Sequence, residues 1–130
     1  MEQTKLMDIH VQVRKIYNLL WEVMDLSQQL VQAVDRDDQV SVQMLLAMRE
    51  EPIRKILLAQ QAVKQQLTAL PPEEAQYLHA LLSGSPARTA QEEPLARQIA
   101  TNLRLLQRVQ EMEKPLNQKI CRDKSVFTGG

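Results

Sequence analysis

The chain has 130 residues, and its 16 Lys and Arg side chains balance 16 Asp and Glu side chains, so the formal net charge is zero. A neutral chain has no net positive field for nucleic acid or anionic lipid, and we expect neither as a partner. Aromatic residues make up 3% of the chain and glycine occurs only three times, a composition that favours helices over sheets. The length suits one domain with one continuous core.

The first predicted element is a long amphipathic helix. Ser27 fills the single gap in its apolar pattern, and Leu19 and Leu26 widen the apolar face on one flank. Other apolar side chains widen the opposite flank, so we expect two neighbouring helices to cover this face. The central positions recur every three or four residues, which keeps them on one side of a helix: Leu6, Ile9, Val13, Ile16, Leu20, Val23, Leu30 and Val34.

The stretch DRDD, residues 35–38, interrupts the apolar pattern. Its three carboxylates have two interpretations, a site for a divalent cation or the turn of a helical hairpin. A calcium loop of the EF-hand type needs a central glycine and a distal glutamate, and this stretch has neither. Asp37 or Asp38 is well suited to cap the next helix, because a carboxylate accepts from the free amides at a helix N-terminus. The pattern therefore favours a capped hairpin turn.

A second long helix is predicted to follow this turn. Pro52 lies within it, and because the apolar phase continues on both sides we expect a kink rather than a break. Arg49 and Gln60 interrupt its apolar face, which we predict to be formed by Val42, Leu46, Ile53, Ile56, Val63, Leu67 and Leu70.

A short helix and a third long helix complete the predicted elements. In LPPEEAQYLHALLSG, Pro71 or Pro72 suits a first helical turn and Gly84 suits the position after a helix end. Thr89 and Glu92 have the spacing of a capping box before the last helix. Asn102 and Glu113 occupy the gaps in the apolar face of that helix, which comprises Leu95, Ile99, Leu106, Val109, Leu116 and Ile120.

These elements predict an all-α fold, an antiparallel up-down-up bundle of three long helices plus one short connecting helix. Residues 1–122 form a single domain in this prediction. The last eight residues, 123–130, read DKSVFTGG and have no helical periodicity, so we expect a flexible C-terminal tail.

The sequence offers no pattern typical of catalysis or of a cofactor site. His10 and His79 lack the Glu-x-x-His spacing of di-iron bundles, and no phosphate-binding glycine loop or nucleophile elbow occurs. Cys121 lies beside Lys119 and Arg122 but has no evident histidine partner. We therefore expect a protein that is not an enzyme and has no metal or cofactor. We also expect a cytoplasmic location, because the charged opening MEQTKLMDIH is unlike a signal peptide.

The apolar faces of the long helices are wider than a simple bundle seam. Leu105 and Met112 lie beside the main face of the last helix, as Leu19 and Leu26 do on the first. Such residues either fill the bundle core or form a groove for a partner helix. Arg49 and Glu113, the charged interruptions of two apolar faces, are predicted to form an ion pair if their helices meet there.

The first half of the chain resembles the first helical hairpin of the flagellar type III export chaperones of the FliT and FlgN types. The resemblance lies in LLWEVMDLSQQLVQAVDRDDQVSVQMLLAMREEPIRKIL. The matching positions are Leu26 and Ser27 before the turn, the turn at Asp37 and Asp38, and then Leu45, Leu46, Arg49 and Glu50 after it. The later stretch RQIATNLRLLQRVQEMEKPLN is similar in kind to the closing helix of that family. Prolines within two helices, and a tail with Phe127 but no tyrosine, depart from the family pattern.

The resemblance implies a chaperone that binds the amphipathic terminal helix of a late flagellar subunit, such as the filament cap or a hook–filament junction protein. It would prevent premature polymerisation and deliver the subunit to the export apparatus, with an export gate component as a further partner. The family's last helix can occupy or flank the binding groove, and Pro115 would be its hinge here. The expected partner-binding residues are Leu19, Leu26, Leu105, Met112, Leu116 and Ile120. The alternative is a structural coiled-coil homodimer that acts as an adaptor or spacer.

Overall fold

The computed structural model describes the backbone of residues 3–128 and the side chains of residues 3–119. Over that range it contains four helices and no strand: α1 Gln3–Asp35, α2 Gln39–Thr68, α3 Pro72–Leu82 and α4 Glu93–Thr128. The all-α fold class and the division into three long helices and one short helix are therefore confirmed.

Helix α1 is the central element of the fold. It packs against both α2 and α4, which explains why its apolar face is broad enough for two neighbours. Every central position predicted for that face is buried except Ile16, which is half-buried. Ser27, the polar residue in the gap, is fully buried as well.

The turn between α1 and α2 spans residues 36–38 and is built by its aspartates. Asp37 has a φ of 55°, in the left-handed region that Asp tolerates better than most residues. Asp38 is the N-cap of α2: its Oδ1 accepts from the Ser41 amide at 3.1 Å and its Oδ2 accepts from the Ser41 hydroxyl at 2.7 Å. The capped hairpin turn is confirmed.

Helix α2 continues through Pro52 without a break, as expected, but its buried face differs from the predicted one. Leu45, Pro52 and Ala59 are buried, whereas Ile53 is exposed and Val42 is half-buried. The prediction placed the centre of the buried face of α2 too far toward the flank that faces α4. The physical reason is that the α2 backbone packs closely on α1 but not on α4, so the flank facing α4 stays open.

The connection from α3 to α4 is fixed by polar contacts. Gly84 has a φ of 110° just after α3, and its amide donates to the carbonyl of Leu81 at 3.0 Å, as expected for a helix end. The Thr89–Glu92 capping box was a wrong prediction. The buried Glu92 carboxylate instead accepts from the Tyr77 hydroxyl and, at 3.4 Å, from the Arg88 amide.

Helix α4 runs past Pro115 to Thr128. Leu105 is buried and Leu106 is exposed, the reverse of their predicted order. The backbone of residues 123–128 is helical, and the expected mobility of residues 123–130 stays a prediction.

Among the described residues, three apolar clusters of the core lie along α1. Ile9 belongs to the cluster that α1 forms with the end of α2, with α3 and with the start of α4. Leu20 lies in the middle cluster with Leu105 and Val109. Leu30 lies in the third cluster, near the α1–α2 turn, with Leu45 and Leu116. Side chains of both α2 and α4 thus pack on α1 in clusters along its length.

Candidate functional site: a groove between α2 and α4

An open cleft of about 220 Å³ lies between α2 and α4, with α1 as its floor. Its walls are mainly apolar, with two amide side chains among them. The lining residues are Val13 and Ile16 of α1, Gln60 and Val63 of α2, Leu82 of α3, and Ile99, Asn102 and Leu103 of α4.

Exposed apolar side chains extend both walls of this cleft. Ile53 and Leu57 lie seven and three residues before Gln60, so they share its side of α2, and they are 37% and 56% exposed. Leu103 and Leu106, one turn apart on α4, are 42% and 37% exposed. We call the cleft together with these four side chains the α2–α4 groove.

The width of the groove follows from the helix packing. In the part of the chain that the structure describes, no Cα atom of α2 comes within 8 Å of a Cα atom of α4. Closely packed helices have interaxial distances of about 8–10 Å. The two outer helices therefore meet through side chains only, above the shared surface of α1.

A polar cluster bridges the groove at one point. Arg49 Nη2 of α2 donates to Glu113 Oε1 of α4 at 2.5 Å, and Ser27 Oγ of α1 donates to the same oxygen at 3.3 Å. These are three of the polar residues that interrupt the apolar faces. The predicted pairing of Arg49 with Glu113 is confirmed. Arg49 Nε is buried and has no hydrogen-bond partner in the described structure.

A second polar contact closes the floor of the cleft. The Asn102 side-chain amide donates to the backbone carbonyl of Val13 at 2.8 Å, and its oxygen accepts from Gln98 Nε2 at 3.0 Å. The carbonyl of Val13 thereby gains a bond beyond those of the helix. Asn102 fixes how α4 lies along α1 at this point.

Two aspartates outside the groove serve the fold through a helix cap and an ion pair. Asp38 caps α2 and Asp35 accepts from Lys119 at 3.2 Å. Burial, and secondarily the charge of Arg14, lowers the pKa of His10. Among the described residues, no cluster of three or more His, Cys, Asp and Glu side chains has an arrangement that could hold a metal ion.

The predicted partner-binding residues lie in or beside the core. Leu19, Leu105 and Leu116 are buried, and Leu26 and Met112 are half-buried against core clusters. The side chain of Ile120 lies outside the described part of the structure. The role of these residues in binding stays a prediction, and for Leu105 and Leu116 it would require α4 to move away from α1.

The four exposed groove residues were missed by the sequence analysis as binding residues. Ile53 and Leu106 were assigned to buried faces, because apolar spacing alone does not distinguish a buried flank from an open one. The sequence feature that could have indicated these exposed groove residues was the width of the apolar faces on α2 and α4. Both helices carry more apolar positions than contact with α1 alone can bury.

Comparison with known proteins gives no match: no protein-family model, no curated protein and no solved structure matches this chain. Within the described residues, none of the helices combines the length and apolar character needed to cross a membrane.

Proposed function

We propose that this protein is a cytoplasmic flagellar export chaperone. In this proposal it binds the amphipathic terminal helix of a late flagellar subunit, the filament cap or a hook–filament junction protein. Binding prevents premature polymerisation, and the complex is delivered to the export apparatus. The protein acts by binding and not as an enzyme.

The observation that carries the proposal is the open α2–α4 groove. The backbones of α2 and α4 do not pack closely on each other, which leaves room for a fourth helix, and a four-helix bundle is a stable solution. An amphipathic partner helix would bury its apolar stripe against Ile53, Leu57, Leu103 and Leu106, which are exposed in the free chain. In helix-in-groove binding of this kind, apolar residues spaced by three and four positions on the partner helix contact the groove.

The proposal includes an up-down-up arrangement of the three long helices. Contacts between α1 and α4 support it, because successive residues of α1 meet successive residues of α4. Val13 meets Asn102, Ser27 meets Glu113 and Asp35 meets Lys119. The short turn between α1 and α2 supports the reversal of α2.

The test is co-purification with the filament-cap and hook–filament junction proteins of the same organism, with the mass of the complex measured by light scattering. We expect a defined complex that is lost when the terminal helix of the partner is deleted. Leu57→Lys and Leu103→Glu should each weaken it by at least about tenfold, because each places a charge in the apolar contact.

Met44→Lys is the matched control. Met44 lies on another flank of α2 and is 55% exposed, nearly the same as Leu57, so its substitution should leave the complex intact. If neither flagellar subunit binds, or if binding survives both groove substitutions, the proposal is wrong.

A structural homodimer is the second candidate function. Val40, Met44 and Met48 form an exposed stripe at four-residue spacing along the first turns of α2, a pattern suited to contact with another helix. If the free protein is a stable dimer that Met44→Lys converts to a monomer, and if no flagellar subunit binds, this function replaces the chaperone.

A further inference from the structure

A second surface, on the flank of α4 away from the groove, concentrates arginine side chains. Helix α4 carries Arg97, Thr101, Arg104 and Arg108 at successive spacings of four, three and four residues. These spacings keep the four side chains on one face of the helix. We call this surface, together with Arg14 of α1, the arginine face.

Helix α1 presents a matching stripe beside it. His10, Arg14, Tyr17 and Trp21 follow one another at the same spacings of four, three and four residues. The stripe on α1 therefore repeats at the same spacing as the positions of the arginine face on α4.

Contacts between the two stripes show that they form one surface. A shallow concavity of about 410 Å³ is lined from both helices, with His10 and Arg14 on one side and Arg97 and Thr101 on the other. Arg104 Nη2 donates to Thr101 Oγ1 at 3.3 Å, which continues the surface along α4.

At the far end of the surface, an aromatic side chain orders an arginine. The guanidinium of Arg108 lies over the Trp21 ring, 5.8 Å from its centroid. The Tyr17 ring meets Trp21 edge-on at 6.5 Å. An ordered guanidinium loses less rotamer freedom when it binds a ligand.

The positive charge on this face is poorly neutralised. Among the described residues, Arg14, Arg104 and Arg108 form no ion pair, and Arg97 has a single exposed contact with Glu93 at 3.7 Å. An exposed pair of this kind contributes little and exchanges readily with another carboxylate. Four arginines on one face of a chain with zero net charge concentrate positive charge on this part of the surface.

We propose that the arginine face binds an acidic segment of a protein partner. Arg97 and Arg108 are eleven residues apart, which is about 16 Å along a helix. A partner segment with three or four Asp or Glu side chains over that length could engage each guanidinium through paired hydrogen bonds. This surface is separate from the α2–α4 groove and does not depend on the function proposed for it.

The surface favours an acidic peptide over nucleic acid. Base stacking needs a free aromatic platform, and the Arg108 guanidinium lies over one face of the Trp21 ring. The short length of the face and the neutral chain also give little of the long-range attraction on which nucleic-acid binding depends.

The test uses two fluorescein-labelled helical peptides of roughly 15 residues. One carries four glutamates spaced four, three and four residues apart, and the other carries glutamines at those positions. Fluorescence anisotropy at low and at moderate salt measures their binding to the full chain. We expect the glutamate peptide to bind, the glutamine peptide not to bind, and the affinity to fall with added salt.

The variant Arg14→Gln/Arg104→Gln should weaken binding of the glutamate peptide by at least about tenfold. The matched control, Arg54→Gln/Lys64→Gln, removes the same charge from exposed positions of α2 and should leave it unchanged. Equal effects of the two variants would overturn the proposal. So would equal binding of both peptides, or tighter binding of a single-stranded oligonucleotide than of the glutamate peptide. All four substitutions are at exposed positions, and circular dichroism confirms that each variant is folded.

Discussion

At the scale of single residues, the polar interruptions of the apolar faces carry most of the specific information. Arg49 and Glu113 stood alone as charges at apolar positions, and an unpaired buried charge is so unfavourable that a pairing was predictable from sequence. Ser27 fills the third position of the same cluster. Its role was not predictable, because a small hydroxyl residue in a helix face is equally compatible with simple close packing.

The Arg49–Glu113 pair gives a prediction about stability. Arg49→Met should lower the free energy of unfolding by about 3 kcal/mol, because it leaves the Glu113 carboxylate poorly solvated and without its cation. The double variant Arg49→Met/Glu113→Leu should recover most of that loss, since apolar side chains of similar volume satisfy the site. Urea unfolding measures both.

The control for this pair is Lys55→Met, which removes an exposed ion pair with Glu51 and should cost less than about 1 kcal/mol. The free energies of unfolding lost in Arg49→Met and in Glu113→Leu can be added and compared with the loss in the double variant. If the double variant loses as much as this sum, the two residues do not act as a pair.

At the scale of the helices, position in the bundle determined how well the sequence predicted burial. The apolar face of α1 was predicted nearly residue by residue. Because α2 and α4 both cover α1, nearly every apolar position in its periodic pattern is buried. On α2 and α4 the same rule placed Ile53 and Leu106 in the core, where they are exposed. Apolar spacing gives the direction of a face but not the position of a neighbouring helix, and so the position and lining of the groove could not be derived from sequence.

The start of α2 gives a prediction about pH. Hydrogen bonds from the Ser41 hydroxyl and, next, from its amide lower the pKa of Asp38. A pKa that is lower in the folded than in the unfolded state gives stability above the unfolded value, about 3.9, that is lost as the pH falls through the folded value. Asp38→Ala should therefore lower the urea midpoint at neutral pH, and the difference from the unsubstituted protein should shrink in acid.

Asp38→Asn is the control, because asparagine is also a good N-cap but has no titrating carboxylate. It should keep most of the stability at neutral pH and remove the acid dependence that Asp38 contributes. A deficit of Asp38→Ala that grows as the pH falls would contradict this account.

At the scale of the whole molecule, α4 is both a wall of the groove and a cover for α1. If the last part of α4 competes with a partner for the apolar surface, truncation after Glu113 should strengthen partner binding. The deletion removes Leu116, which is buried against Leu30 and Val34, and frees that surface. Titration calorimetry with a partner identified by co-purification measures the change, and circular dichroism reports whether the remaining helices persist. Unchanged or weaker binding to a folded truncated protein would rule out self-capping.

The central position of α1 also has a consequence for how the chain folds. Three residues separate α1 from α2, so their pairing needs little loop closure. The side-chain contacts that attach α4 to α1 join residues 84, 86 and 89 positions apart, and contacts of such high sequence separation form slowly. We therefore expect the α1–α2 hairpin to form first and α4 to dock later. Until α4 docks, the flank of α1 that α4 covers in the folded protein is exposed.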